Sequence, residues 1–237
     1  MSHDEAPRTT AQFCEQLRQH TITPAEGEGQ PYVRTSDLVR WMTNTTGAQE
    51  PIAKRMLDEA YRSPRSQRSS EFYIPYKTIC REPQHRDRCI IAFSILLEIG
   101  LGHWIHGVQQ EDIVDQMLPM APRLLEDKFR RIADRQGIGF ANQGVDIANQ
   151  FNEAQWKYFP VTFTLGMDKN FPEERVFPIC RKREIGRGGQ ARVFQILVQA
   201  DYIAPELRSR LSSDEHTRIE DEEFGTVCLR HQEKLSL

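Results

Sequence analysis

The sequence predicts an α+β protein, with a mainly α-helical domain from residue 8 to residue 160 and a smaller β-strand region from 161 to 237. Apolar residues recur every three or four positions in the first region, which is the spacing of an amphipathic helix. Near residue 161 the pattern changes to alternation typical of strands. With 237 residues, 38% of them hydrophobic, the chain can form a packed core.

The helices follow the periodic segments in order. They are predicted around Phe13 and Leu17, over Asp37–Met42, after Pro51, and over Arg86–Leu101, Gln109–Leu118, Pro122–Arg135 and Val145–Trp156. Thr35 or Ser36 can cap the second of these helices. The segment Arg86–Leu101 is apolar on almost all sides, which indicates a helix at the centre of a bundle, and Gly100 and Gly102 end it.

The remaining segments divide into loops and strands. Residues 1–7 are predicted to form a disordered tail, 62–70 an exposed linker without apolar side chains, 71–79 a short extended segment and 201–223 a polar loop. Strands are predicted at Val161–Leu165, Phe177–Ile185, Ala191–Val198 and Phe224–His231. A glycine-rich turn joins the middle two, which indicates a hairpin.

Composition excludes several classes of protein. The formal charge of −3 is close to neutral, so the chain as a whole has no positive field that would attract nucleic acid. The polar N-terminus lacks a signal-peptide core, and the apolar stretch Cys89–Leu101, with Ser94 and Glu98 inside it, is too short to span a membrane. Five scattered cysteines favour reduced thiols, and hence an intracellular protein of the cytoplasm or nucleus.

The clearest chemical motif is the sequence Ile185-Gly-Arg-Gly-Gly-Gln-Ala-Arg-Val193. Its glycines allow a tight turn that exposes backbone N–H groups to an anion. It resembles the glycine-rich loop of protein kinases, G-x-G-x-x-G-x-V, which covers the phosphates of ATP. Gly186 and Gly188 match the first two glycines, Ala191 stands at the third, and Val193 matches the valine that packs on adenine.

A second element of the resemblance lies near the C-terminus. Val227-Cys-Leu-Arg230 matches the kinase sequence V-A-I-K, so that Arg230 stands at the position of the phosphate-binding lysine. The resemblance therefore implies these nucleotide-contacting residues: Ile185, Gly186, Arg187, Gly188, Gly189, Gln190, Ala191, Val193 and Arg230.

The wider sequence is similar to a filamentous-fungal group of protein-kinase-like proteins, in which a helical region precedes the kinase domain. The similar segments are Cys89–Leu97, Gly100–Ile105 and Gln155–Pro160. The resemblance implies ATP, Mg²⁺ and transfer to Ser or Thr, with residues 161–237 as a partial kinase N-lobe. Because neither a His-Arg-Asp loop nor Asp-Phe-Gly follows Arg230 in the given sequence, as both would in a kinase, we expect no catalysis by this chain alone, and Mg²⁺ only with a complete kinase domain.

The alternative is that the hairpin binds nothing and that residues 8–160 form a helical protein–protein interaction module. In an incomplete lobe, exposed strand edges could also bind a protein partner. The sequence offers two further candidate sites. Arg181, Lys182, Arg183, Arg187 and Arg192 surround a lone Glu184, and without interleaved aromatic residues they favour a solvated strand face over nucleic acid. Cys80, His85, Cys89, His103 and His106 suggest zinc, but their spacing favours buried thiols and ordinary histidines.

Overall fold

The computed structural model describes residues 7–24, 29–45, 50–62, 74–136, 143–167, 170–188, 191–213 and 224–232. The chain forms two compact units. The first contains Met1–His20 and Val33–Phe159, and the second contains Thr21–Tyr32 and Pro160–Leu237. Helices and small antiparallel sheets are both present, so the α+β class is confirmed. None of the helices in the described ranges is long and apolar enough to cross a membrane.

The first unit is built from helices. They are α1 (Pro7–Gln19), α2 (Thr35–Thr43), α3 (Ile52–Arg62), α4 (Tyr76–Ile79), α5 (Ile90–Glu98), α6 (Ile105–Gln110), α7 (Pro122–Arg135) and α8 (Gln143–Tyr158). Seven of the nine residues of α5 are buried, which confirms it as a central helix, although it is shorter than predicted at both ends. Gly100, at φ +73°, follows it in the left-handed conformation that glycine adopts most easily.

A distant carboxylate explains why α5 begins where it does. Cys89 at the N-cap makes no side-chain cap hydrogen bond. Instead, Oδ1 of Asp115 accepts hydrogen bonds from the backbone N–H groups of Ile91 (2.9 Å) and Ala92 (3.1 Å), and the backbone N–H of Asp115 donates to the carbonyl of Arg88 (2.8 Å). Asp115 therefore satisfies donors that a helix start leaves open.

Two glycines allow neighbouring helices to approach closely. A Cβ at Gly107 in α6 would lie 2.5 Å from Cγ2 of Ile132 in α7, and one at Gly144 in α8 would lie 3.0 Å from the carbonyl oxygen of Phe129. Phe129 also packs against Phe151, with 5.3 Å between their ring centroids. Such close packing leaves no room for an added methyl group.

Buried polar groups in the helical unit have specific partners. Gln155 is fully buried, and its side-chain amide exchanges two 2.8 Å hydrogen bonds with the backbone of Met120. The buried Glu111 carboxylate accepts a 2.7 Å hydrogen bond from Nε of Arg131 and another from Arg135. These pairings offset the cost of removing polar groups from water.

The second unit carries the strands. They are β1 (Thr21–Ile22), β2 (Tyr32–Val33), β3 (Ile179–Gly188), β4 (Ala191–Gln199) and β5 (Phe224–Gln232), with α9 (Pro205–Ser213) between the last two. The exception is Val33, the last residue of β2, which belongs to the first unit. β1 and β2 form one small sheet, and β3-β4-β5 form a second, antiparallel sheet. The core of the second unit contains the buried side chains of Phe163, Ile196, Val198 and Ile203, with Leu207 and Leu211 of α9 packed against them.

An N-terminal segment belongs to this second unit. Tyr32 is fully buried, its hydroxyl lies 3.1 Å from Sγ of Cys180, and its ring meets that of Tyr202 edge-on at 5.5 Å. A Cβ at Gly29 would lie 3.4 Å from the carbonyl oxygen of Ile179. The second unit is therefore assembled from two separate stretches of the chain.

Two predictions on the C-terminal side are wrong. Residues 161–165 form no strand, because Phe163 makes only an isolated bridge to Ile203, while the N–H of Val161 bonds to Val176. The alternation of apolar residues there is real, but the backbone partners lie in different segments. Residues 201–223 are not all loop, since they contain α9, whose apolar residues Leu207 and Leu211 are spaced for a single buried face.

Three predictions on the helical side are also wrong. The predicted helix 109–118 is broken by Asp112, at φ +51°, and continues as a 3₁₀ turn at Asp115–Met117. The end of the predicted extended segment forms α4. The N-cap of α2 is Arg34, and Thr35 lies inside the helix, where its hydroxyl donates to the carbonyl of Tyr158 at 2.8 Å.

Other predictions fall partly on residues that the structure does not describe. These are 1–6 of the predicted tail, 63–70 of the predicted linker, 71–73 of the predicted extended segment and 214–223 of the predicted loop. Pro7 and Arg62, at the margins of those segments, lie in helices.

Candidate functional site

The glycine-rich motif lies at the closed end of an antiparallel hairpin. β3 and β4 pair with Arg187 opposite Arg192 and with Gly188 opposite Ala191. The hairpin predicted from the sequence is therefore confirmed. Gly189 and Gln190, between the two strands, lie outside the described residues.

A β-bulge interrupts the hairpin just before the glycines. Glu184 pairs with Phe194 and Gly186 pairs with Val193, so that Ile185 has no opposite residue on β4. The side chain of Ile185 is 51% exposed. An extra residue in one strand shifts the alternation of all side chains that follow it, and bulges often re-aim side chains beside functional sites.

Gly186 has room around its Cα. A Cβ built there would meet only Cβ of Val193, at 3.8 Å, which is ordinary van der Waals contact. Packing within the described residues therefore does not require glycine at this position. Access of a ligand to the backbone would require it, because an anion held by N–H groups must approach the main chain closely.

The third strand brings Arg230 into line with the motif. Its backbone pairs with Val193, which in turn pairs with Gly186, so the three residues form one row across the sheet. This row lies two positions from Ala191, or about 7 Å along the strand. Those predicted contact residues of the two motifs that the structure describes thus belong to one end of one sheet.

Most charged residues of the hairpin are exposed, whereas Arg192 is partly buried. Arg181, Lys182 and Arg183 lie on β3, which is one of the two edge strands of the described sheet. Nζ of Lys182 lies 4.1 Å from the ring centroid of Phe194, which is a cation–π contact. Nη1 of Arg192 is 4.0 Å from Oε2 of Glu184. Charged side chains and bulges are features that disfavour the addition of a foreign strand to an edge.

The suggested zinc residues do not form a ligand set. Among the residues that the structure describes, which include all five, no group of three or more His, Cys, Asp or Glu could hold a metal ion. Burial raises the pKa of the Cys80 thiol to about 12 and also raises the pKa of the Cys89 thiol. A zinc ligand must be a thiolate, so burial here works against metal binding.

The direct pairing of Arg187 with Arg192 does not follow from the sequence. The two residues are five positions apart, and an uninterrupted pairing would set Arg187 opposite Ala191. The sequence carries no signal of the bulge, because the exposure of Ile185 is seen only in the structure and isoleucine is also typical of a regular strand.

The comparisons with known proteins give no family. No protein-family model, no curated protein and no solved structure matches the chain.

Proposed function

We propose that the hairpin Ile185–Val193 binds the phosphates of ATP, as the glycine-rich loop of a protein-kinase-like protein of the kind found in filamentous fungi. The observation that carries the proposal is the cross-sheet row of Gly186, Val193 and Arg230 beside the glycine turn. Backbone N–H groups of the turn would hold phosphate oxygens. Val193, which is half-buried, offers an apolar surface for the base, and Arg230 is the cationic residue of the row.

The residues of the hairpin are better suited to binding a nucleotide than to binding a metal ion directly. Gly186 has space for a close approach, and arginine is a common partner of phosphate. Glu184 is the one carboxylate in residues 179–188 and 191–199, and it faces Arg192. Mg²⁺, which prefers several oxygen ligands, would therefore enter with the phosphate oxygens of the nucleotide. The proposal concerns binding and assigns no catalytic step to the hairpin.

The test is a thermal-shift titration of the whole chain with ATP, with and without Mg²⁺. A ligand at 100 times its dissociation constant stabilises the folded state by about 2.7 kcal/mol, so the melting temperature should rise with concentration. Gly188→Asp adds a carboxylate at the turn and should abolish the rise, and Arg230→Ala should weaken it.

The matched control is Arg210→Ala, which removes one exposed arginine from α9 in the same unit. It should respond to ATP like the wild type. A wild-type melting temperature that ATP does not change would refute the proposal, as would an equal response from Gly188→Asp.

The alternative function, a helical interaction module, has less support. Among the described residues of the first unit, the large apolar side chains that are exposed are Met117 (52%) and Leu124 (42%). Two such side chains are normal for a protein surface. The charged edge strand β3 likewise disfavours a partner that adds a strand.

A further inference from the structure

We draw no further inference here: the strongest candidate, the pair of thiols of Cys80 and Cys89 at the two ends of the loop between α4 and α5, carries neither a site nor a switch, because burial raises the pKa of both thiols and the contact that closes the loop, from the N–H of Cys89 to the carbonyl of Ile79 (3.4 Å), joins backbone atoms and not the two sulfurs.

Discussion

Replacement of Asp115 by asparagine tests how the helical unit depends on pH. Burial raises the pKa of the Asp115 carboxyl to about 6, although the N–H groups of Ala92 and Ile91 and the guanidinium of Arg88 oppose the rise. Nε of Arg88 lies 3.5 Å from Oδ2 of Asp115. Asparagine keeps an oxygen that can accept the two N–H hydrogen bonds of α5 but cannot ionise.

The size and the sign of the effect follow from that pKa. The carboxyl has an ordinary pKa of 3.8 when unfolded and about 6 when folded, so the native state retains a proton that the unfolded state has lost. Stability from this group is therefore complete below about pH 4 and is lost as the pH rises through 6. At about 1.4 kcal/mol per pKa unit the total is about 3 kcal/mol, of which about 2 kcal/mol falls between pH 4.5 and pH 7.5.

The chain already carries a suitable probe for this measurement. All three tryptophans, Trp41, Trp104 and Trp156, lie in the first unit. Urea unfolding followed by tryptophan fluorescence therefore reports on the unit that contains Asp115. The difference in free energy of unfolding between wild type and Asp115→Asn should change by about 2 kcal/mol across that pH range.

A surface variant separates this effect from general charge removal. Asp134→Asn removes an exposed carboxylate on α7, so a pH dependence that is equal in both variants would come from the loss of charge and not from burial of Asp115. A constant difference between wild type and Asp115→Asn would show that hydrogen bonds and Arg88 hold the carboxylate ionised, and would refute the reasoning from burial.

The other predictions concern packing and charge. Gly107→Ala should destabilise the helical unit by about 1–3 kcal/mol, because its Cβ would lie 2.5 Å from Cγ2 of Ile132; Ile132→Ala in the same chain should recover part of that loss in urea unfolding. Gln155→Leu should cost about 1–3 kcal/mol by leaving the buried backbone of Met120 unpaired. Arg187→Gln should stabilise the ligand-free hairpin by about 0.2–1 kcal/mol, seen as slower amide exchange in β3 and β4, because it removes a like charge opposite an arginine.

Each of these has a contrary outcome. Additive effects of the alanine substitutions at 107 and 132 would mean that the two sites do not touch. Wild-type stability of Gln155→Leu would mean that water reaches the backbone of Met120. Faster exchange in Arg187→Gln would mean that the arginine stabilises the hairpin without a ligand.

The bounds of a helix were predictable from the sequence where residues of the helix itself determine them. The bounds of α7 were predictable because Pro122 begins the helix and Leu125, Phe129 and Ile132 repeat at helical spacing. The start of α5 was not, because Asp115, which caps it, lies more than twenty residues further along the chain. A cap supplied from another segment leaves no pattern at the helix itself.

The candidate site shows the same limit. The glycines identified the turn, and the β-branched residues on both sides identified the strands. The register did not follow from them, because a one-residue bulge determines which side chains share a face. Arg192 therefore entered the sequence analysis as one member of a basic patch, whereas the structure gives it a specific partner in Arg187.

The membership of Tyr32 in the second unit has a consequence for protein synthesis. Tyr32 and Cys180 are 148 residues apart. At about 5–20 residues per second, a ribosome would make Tyr32 roughly 7–30 s before Cys180. During that interval the ring of Tyr32 lacks its contacts with Tyr202 and Cys180. The residues of the helical unit, which precede and follow Tyr32 in the sequence, leave the ribosome earlier than Cys180. Nascent-chain proteolysis should therefore find the segment 21–32 susceptible to cleavage until the final strands leave the exit tunnel.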